Sequence, residues 1–271
     1  MSNAVPTSIS TPDALTSSAL TTAALVEIFS AIQGEGVNVG TRQIFIRFGG
    51  CDLRCRFCDS VHTWHPSETC RIEQTPGLRD FVTYPNPISQ TQLLTWIAQQ
   101  NQPNLHDSIS LTGGEPLLHA DFLRLFLPQL RDSIHLPIYL ETGGHRPQDL
   151  QTLLPYLDLI GMDLKLPSVS GETHWREHSQ CLKLCQQARI DVFCKVIVAQ
   201  HTDPEDLQQV LQTIATISPN IPVYLQPVTP LPQSIMQPPT PAQVLQWQAD
   251  LKQRLKTVRV VPQTHKMLDQ L

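Results

Sequence analysis

From Leu25 onward, short β-rich runs alternate with stretches whose apolar residues recur every three or four positions, and this alternation confines the chain to folds built on a largely parallel sheet. The strand-like runs are Leu25 to Phe29, Gln43 to Phe48, Ser108 to Thr112, Pro137 to Glu141, Leu157 to Asp163, Val192 to Ala199, Val223 to Gln226 and Val258 to Val261. Helical spacing marks Thr91 to Gln100, Asp121 to Leu130, His174 to Ala188, Glu205 to Ile217 and Pro241 to Lys256. A full eight-fold βα barrel takes about 250 residues. This chain has 271 and must also house Trp64 to Pro87, a stretch with four prolines and no period, so an α/β partial barrel with an irregular insert is the expected architecture.

At 41% hydrophobic and 16% charged, the chain fills one core, and a single domain over 25–271 is expected. Residues 1–24, rich in Ser, Thr and Ala, bury too little apolar surface to offset their ordering entropy and read as a disordered tail. That stretch has Asp13 and no basic residue, unlike a transit peptide, and lacks the apolar block of a signal peptide. No apolar run approaches the roughly 20 residues of a membrane helix, so a cytoplasmic location is expected. A net charge of -5 gives no general attraction to nucleic acid or anionic lipid, which leaves small molecules as the expected partners.

Seven cysteines, an odd number, make a disulfide framework the poorer reading and favour thiolate chemistry. Cys51, Cys55 and Cys58 are spaced CxxxCxxC directly after a strand-like run. Loops at the C-terminal ends of strands form the active sites of α/β sheets and barrels, so these thiols belong at the mouth of a site. Four cysteines close every iron of a ferredoxin-type cluster, whereas three leave one iron open. The spacing therefore predicts a 4Fe–4S cluster with an open iron, and hence an enzyme. A zinc knob would draw a fourth ligand from His62, His65 or Cys70, but zinc pairs come as CxxC with a second pair at a distance, which the chain lacks. An electron carrier would need a fourth cysteine, of which Cys70 is the nearest. Cys194 reads as core, and Cys181 and Cys185 carry no assigned role.

The same motif followed by Thr112-Gly113-Gly114-Glu115-Pro116 at a later strand end resembles the radical S-adenosylmethionine superfamily. Glu27-Ile28-Phe29, Ile32-Gln33-Gly34-Glu35-Gly36, Phe45-Ile46-Arg47-Phe48, Cys58-Asp59-Ser60, Glu141-Thr142, Asp163-Leu164-Lys165 and Gln263-Thr264-His265-Lys266 narrow the resemblance to the 7-carboxy-7-deazaguanine synthases. The resemblance covers almost everything after the tail. It implies a radical ring contraction of 6-carboxy-5,6,7,8-tetrahydropterin to 7-carboxy-7-deazaguanine with loss of ammonia, on the route to deazapurines such as queuosine. It also implies hydrogen abstraction at C6, a magnesium-assisted rearrangement and a hydrogen return that regenerates S-adenosylmethionine.

Carried over residue by residue, the resemblance puts Ile32, Gln33, Gly34 and Thr112 on the pterin and Arg47 on its carboxylate. A Gln amide matches the donor and acceptor edge of a pterin, and Arg the planar carboxylate. Phe57, Cys58, Asp59, Gly114, Asp163, Lys165 and Gln226 would line the S-adenosylmethionine groove. Magnesium would bind at Ser60, where the family often has Thr; the hydroxyl that a hard cation needs is retained. Thr264 and His265 would assist substrate binding. The resemblance further implies a homodimer and a one-electron donor such as flavodoxin or ferredoxin. A glycyl-radical activating enzyme is the competing enzyme class, but many of those carry further cysteines after the first cluster, and here Val61 to Ile88 holds only Cys70.

Overall fold

The computed structural model describes residues 21–230 and 236–270. Residues 1–20 of the expected tail lie outside the described residues, while Thr22–Ala23 (β1) pairs antiparallel with Ile88–Ser89 (β6).

A second, ten-stranded sheet carries the fold. Its strands are Leu25–Ile32 (β2), Arg42–Phe48 (β3), Thr69–Glu73 (β4), Phe81–Pro85 (β5), Ser108–Gly113 (β7), Ile138–Thr142 (β8), Leu159–Asp163 (β9), Asp191–Val198 (β10), Val223–Pro227 (β11) and Val258–Val260 (β12). They lie in the order β12-β11-β10-β9-β8-β7-β3-β2-β4-β5. From β3 to β12 every neighbour is parallel, and β2 runs antiparallel to β3. The helices between the parallel strands are Gln90–Gln100 (α1), Ala120–Ser133 (α2), Pro147–Leu153 (α3), Pro167–Ser170 (α4), Trp175–Ala188 (α5), Pro204–Ile217 (α6) and Pro241–Lys252 (α7). All but the short α4 pack in sequence against their neighbours, α1 on α2 through to α6 on α7. Such a row is the outcome of right-handed βαβ crossovers on one sheet face.

The local causes are ordinary. Ser89 opens α1 and Thr240 opens α7 with reciprocal capping boxes to Gln92 and Gln243, and Asp203 caps α6 ahead of Pro204. The helices press Leu93, Phe122, Leu123, Leu150, Leu182 and Leu207 into one core with Ile44, Leu111, Leu140 and Val196 of the strands.

The sheet curls without closing. Seven places separate β12 from β2 in the strand order, yet Thr264 beyond β12 donates its backbone N–H to Gly34 beyond β2 at 3.0 Å. The expected partial barrel is therefore shut at this rim by loops. The expected irregularity of Trp64 to Pro87 is corrected: most of it is the antiparallel hairpin β4–β5, which extends the sheet beyond β2. Pro85 ends the outermost strand, where a missing N–H breaks no inner ladder, and Pro66, Pro76 and Pro87 fall outside strands.

Candidate active site

The loop after β3 carries the three cysteines and is pinned by backbone groups from several sides. Gly50 N–H donates to Thr63 O at 2.7 Å, Cys51 N–H to Trp64 O at 3.2 Å, and Arg56 N–H to Ser170 O at 3.0 Å. Arg54 N–H donates to the Glu172 carboxylate at 2.7 Å. Gly114 must lack a side chain: a Cβ there would lie 2.0 Å from Gly50 O, so the Thr112–Pro116 loop meets the cysteine loop backbone to backbone. Glu115, buried, holds that loop to the end of β8 by accepting from Gly143 N–H at 2.9 Å and Thr142 Oγ1 at 2.9 Å.

All three thiols face one cavity of about 660 Å³. Burial pushes Cys55 up to about 11 and raises Cys51 and Cys58, while the Lys165 ammonium lowers all three. Such thiols release their protons when a metal takes them as thiolates. Cys70 cannot be a fourth ligand, because it is buried on β4 in the main core. Among the described residues no three His, Cys, Asp or Glu side chains, the three cysteines included, are grouped to hold one metal ion; a 4Fe–4S cluster instead takes each cysteine on a separate iron.

A polar row crosses the cavity floor. Arg71 on β4 is in register with Glu27 on β2, Glu27 with Arg47 on β3, and Arg47 with Thr112 on β7. Thr112 Oγ1 then donates to Glu141 on β8 at 2.7 Å, and Glu141 is in register with Gly161 on β9. Glu141 also accepts from Gln33 Nε2 at 2.7 Å, and burial raises its pKa.

Beyond the row stands a charged hub. Lys195 on β10 donates to Glu35, which also accepts from Gln226 Nε2 at 3.0 Å and Gln263 Nε2 at 2.7 Å. Burial opposes the charge on Lys195, but Glu35, Asp163 and Glu141 outweigh it and hold its pKa well above the usual lysine value. Burial likewise opposes charge on Glu35 and Asp163, and their lysine partners keep both carboxyls below the usual range. Lys165 bonds Asp163 at 2.9 Å with its ammonium 5.2 Å from the centre of the Phe57 ring. Asp163 Oδ1 and Gln226 Oε1 are buried acceptors with no partner among the described residues. A ligand bringing hydroxyl or N–H donors would satisfy both.

The C-terminal segment forms the last wall. His265 packs on Gly34, where a Cβ would sit 2.2 Å from its Nδ1, and Lys266 pairs with Asp59 at 2.8 Å.

Ile32, Gln33, Gly34, Arg47, Cys51, Cys55, Phe57, Cys58, Asp59, Ser60, Thr112, Gly114, Asp163, Lys165, Gln226 and His265 all line this cavity, while Thr264 is not among its lining residues and bonds the Gly34 carbonyl. The Gln33 amide donates to Gln43 at 3.1 Å and to Glu141, and its oxygen accepts from Glu35 N–H at 3.0 Å, so its side chain is held in place at the cavity wall. Ser60 Oγ donates to Asp59 at 3.1 Å, which supplies two neighbouring hard oxygens but no closed metal shell. Sequence reasoning assigned no role to Glu35, Glu141, Arg71 or Lys195. Lys195 left one signal, a lysine inside an otherwise apolar strand-like run.

Comparison with known proteins agrees with this geometry. The Radical SAM superfamily model matches residues 45–214. The 7-carboxy-7-deazaguanine synthase of Geobacter sulfurreducens is 44% identical over 253 residues, covering 92% of this chain and 98% of the relative. That of Methanothermobacter thermautotrophicus is 30% identical, covering 91% and 97%. The crystal structure of QueE from Escherichia coli superposes with a TM-score of 0.59 at 24% identity, covering 90% of this chain and 95% of that one, and supports the fold. The cysteine loop and the strands β4 to β10 lie within the superfamily match, and the chain belongs to the 7-carboxy-7-deazaguanine synthase family of radical S-adenosylmethionine enzymes.

Proposed function

We propose that the chain contracts the ring of 6-carboxy-5,6,7,8-tetrahydropterin to 7-carboxy-7-deazaguanine with release of ammonia, a step toward 7-deazapurines such as queuosine. The observation that carries this reading is the near full-length match to a relative of that name, with every family-implied ligand residue except Thr264 lining one cavity. It is a radical S-adenosylmethionine enzyme, with a 4Fe–4S cluster and S-adenosylmethionine as cofactors.

Cys51, Cys55 and Cys58 would hold the cluster. When bound, cluster and S-adenosylmethionine supply the electron and the radical that removes hydrogen from the substrate. Asp163 and Gln226 have free acceptor oxygens for hydroxyl groups of S-adenosylmethionine, and the Gly114 backbone lies on the cavity wall against the cysteine loop. Arg47 pairs with the substrate carboxylate. Thr112 and Gln33 orient Glu141, whose buried carboxylate accepts N–H groups from the pterin edge. Gln33 is thus a positioning residue. Ser60 takes one position on magnesium, with substrate and water supplying the rest. The walls formed by His265, Lys266 and Gln263 limit water at the reacting centre.

The finer context belongs to the same proposal: a homodimer in the cytoplasm, reduced by a one-electron donor such as flavodoxin or ferredoxin. Among the described residues no helix is long and apolar enough to cross a membrane. The test is anaerobic reconstitution, turnover with substrate, magnesium and reductant, and detection of 7-carboxy-7-deazaguanine by mass. Cys51→Ala, Cys55→Ala and Cys58→Ala each abolish product on this reading. Product surviving any of the three changes would overturn the cluster assignment.

A further inference from the structure

We propose that Arg71, from the hairpin inserted after the cysteine loop, reads the substrate's carboxylate together with Arg47 and sets the preference for a carboxylated pterin. This rests on the substrate proposed above.

Glu27 is 2% exposed and sits between the two arginines in the polar row. Arg47 Nε bonds one of its oxygens at 2.7 Å, and Arg71 Nε bonds the other at 2.7 Å. Two guanidiniums against one carboxylate leave one positive charge at this end of the row. Among the described residues, neither arginine has a second carboxylate within salt-bridge distance. Elsewhere in the cavity each cation has its acid, with Lys195 on Glu35, Lys165 on Asp163 and Lys266 on Asp59. Glu141 takes the neutral donors of Gln33 and Thr112 and also feels the Lys195 ammonium, but Lys195 and Lys165 stand there against three carboxyls, Glu35, Asp163 and Glu141. The floor is therefore positive at the Arg71 end and negative at the Glu141 end. A ligand with a carboxylate at one end and N–H groups at the other matches that polarity.

Aromatic rings fix the guanidiniums in place. Arg71 lies 4.5 Å from the centre of the Phe81 ring and Arg47 5.4 Å from that of Phe29, which stacks on Phe45 at 5.0 Å. A guanidinium on a ring face keeps its N–H groups in one plane, ready for a planar acid. The side chain of Arg71 is 47% exposed and that of Arg47 14%, so Arg71 retains water-facing N–H groups that a carboxylate can replace.

The experiment uses the reconstituted holoenzyme with S-adenosylmethionine present, and measures dissociation constants for 6-carboxytetrahydropterin and for tetrahydropterin lacking the carboxylate. Arg71→Met is expected to weaken the carboxylated ligand by about tenfold or more, the scale of one charge-assisted hydrogen bond, and to change the other little. Arg71→Lys, which keeps the charge without the fork, recovers part of the loss. Equal losses for both ligands in both variants would make Arg71 a prop for Glu27 and overturn the proposal, as would no loss for either. Wild-type protein that fails to bind the carboxylated pterin would overturn the substrate assignment, and this inference with it.

Discussion

Glu35 and Lys195 form an ion pair at the head of the cavity, and the Glu35 carboxylate gathers donors from β10, β11 and the C-terminal segment. Breaking such a pair from one side strands a charge, which costs about 3 kcal/mol or more. Lys195→Met is therefore expected to lower the urea-unfolding free energy by about that amount, and Glu35→Gln with Lys195→Met to recover much of it. A double variant as unstable as the sum of the two singles would show that the pair is not coupled. The cysteines were legible because their spacing is itself the chemistry. Lys195 and Arg71 were not, since a lone cation in a strand acquires meaning only from cross-strand neighbours distant in sequence. Gln33 was legible as a site residue but not in its partners: an isolated Gln-Gly-Glu-Gly gives no hint that the amide turns inward to Glu141 and Gln43.

The hairpin β4–β5 and the C-terminal segment act as one element across the mouth of the site. Arg79, held at φ 57° beyond the tight turn, donates to Asp269 O at 2.7 Å. Arg79→Ala is expected to raise amide exchange over 264–270 while leaving the parallel strands protected, as a local opening does. Unchanged exchange in that segment would mean the hairpin does not anchor it. Gly34→Ala tests the opposite side, because its Cβ would sit 2.4 Å from the His265 backbone nitrogen. That variant is expected to displace the segment and reduce turnover by about a hundredfold, the scale at which small misplacements act, with global stability nearly kept. The parallel strands and most helices were readable from period alone. The hairpin was hidden by its prolines, and α3 by its shortness between two strands.

At the scale of the molecule, the parallel sheet sets the site by bringing the C-terminal ends of its strands to one rim. The ladder of alternating elements announced this arrangement, but the Thr264–Gly34 contact that closes the rim is one that no local pattern encodes. Acid sensitivity is another global property. Burial pushes His178 down to about 3 and His106 down to about 4, while an unfolded histidine titrates near about 6.5. Below about 6.5 the unfolded chain gains protons that the folded one refuses, so stability is full above that value and falls as pH drops toward each folded pKa. The expected slope is about 1.4 kcal/mol per pH unit for each histidine. In urea unfolding between pH 6.5 and 4.5, His178→Gln is expected to flatten that slope relative to the unsubstituted protein, and an unaltered slope would remove His178 from the account.

The central claim is that this cavity performs the ring contraction and returns its hydrogen to regenerate S-adenosylmethionine. One anaerobic reaction, with 7-carboxy-7-deazaguanine and methionine both quantified by mass, tests it most directly. The account predicts deazaguanine accumulating well beyond methionine; methionine accumulating without deazaguanine, or in step with it, would contradict it.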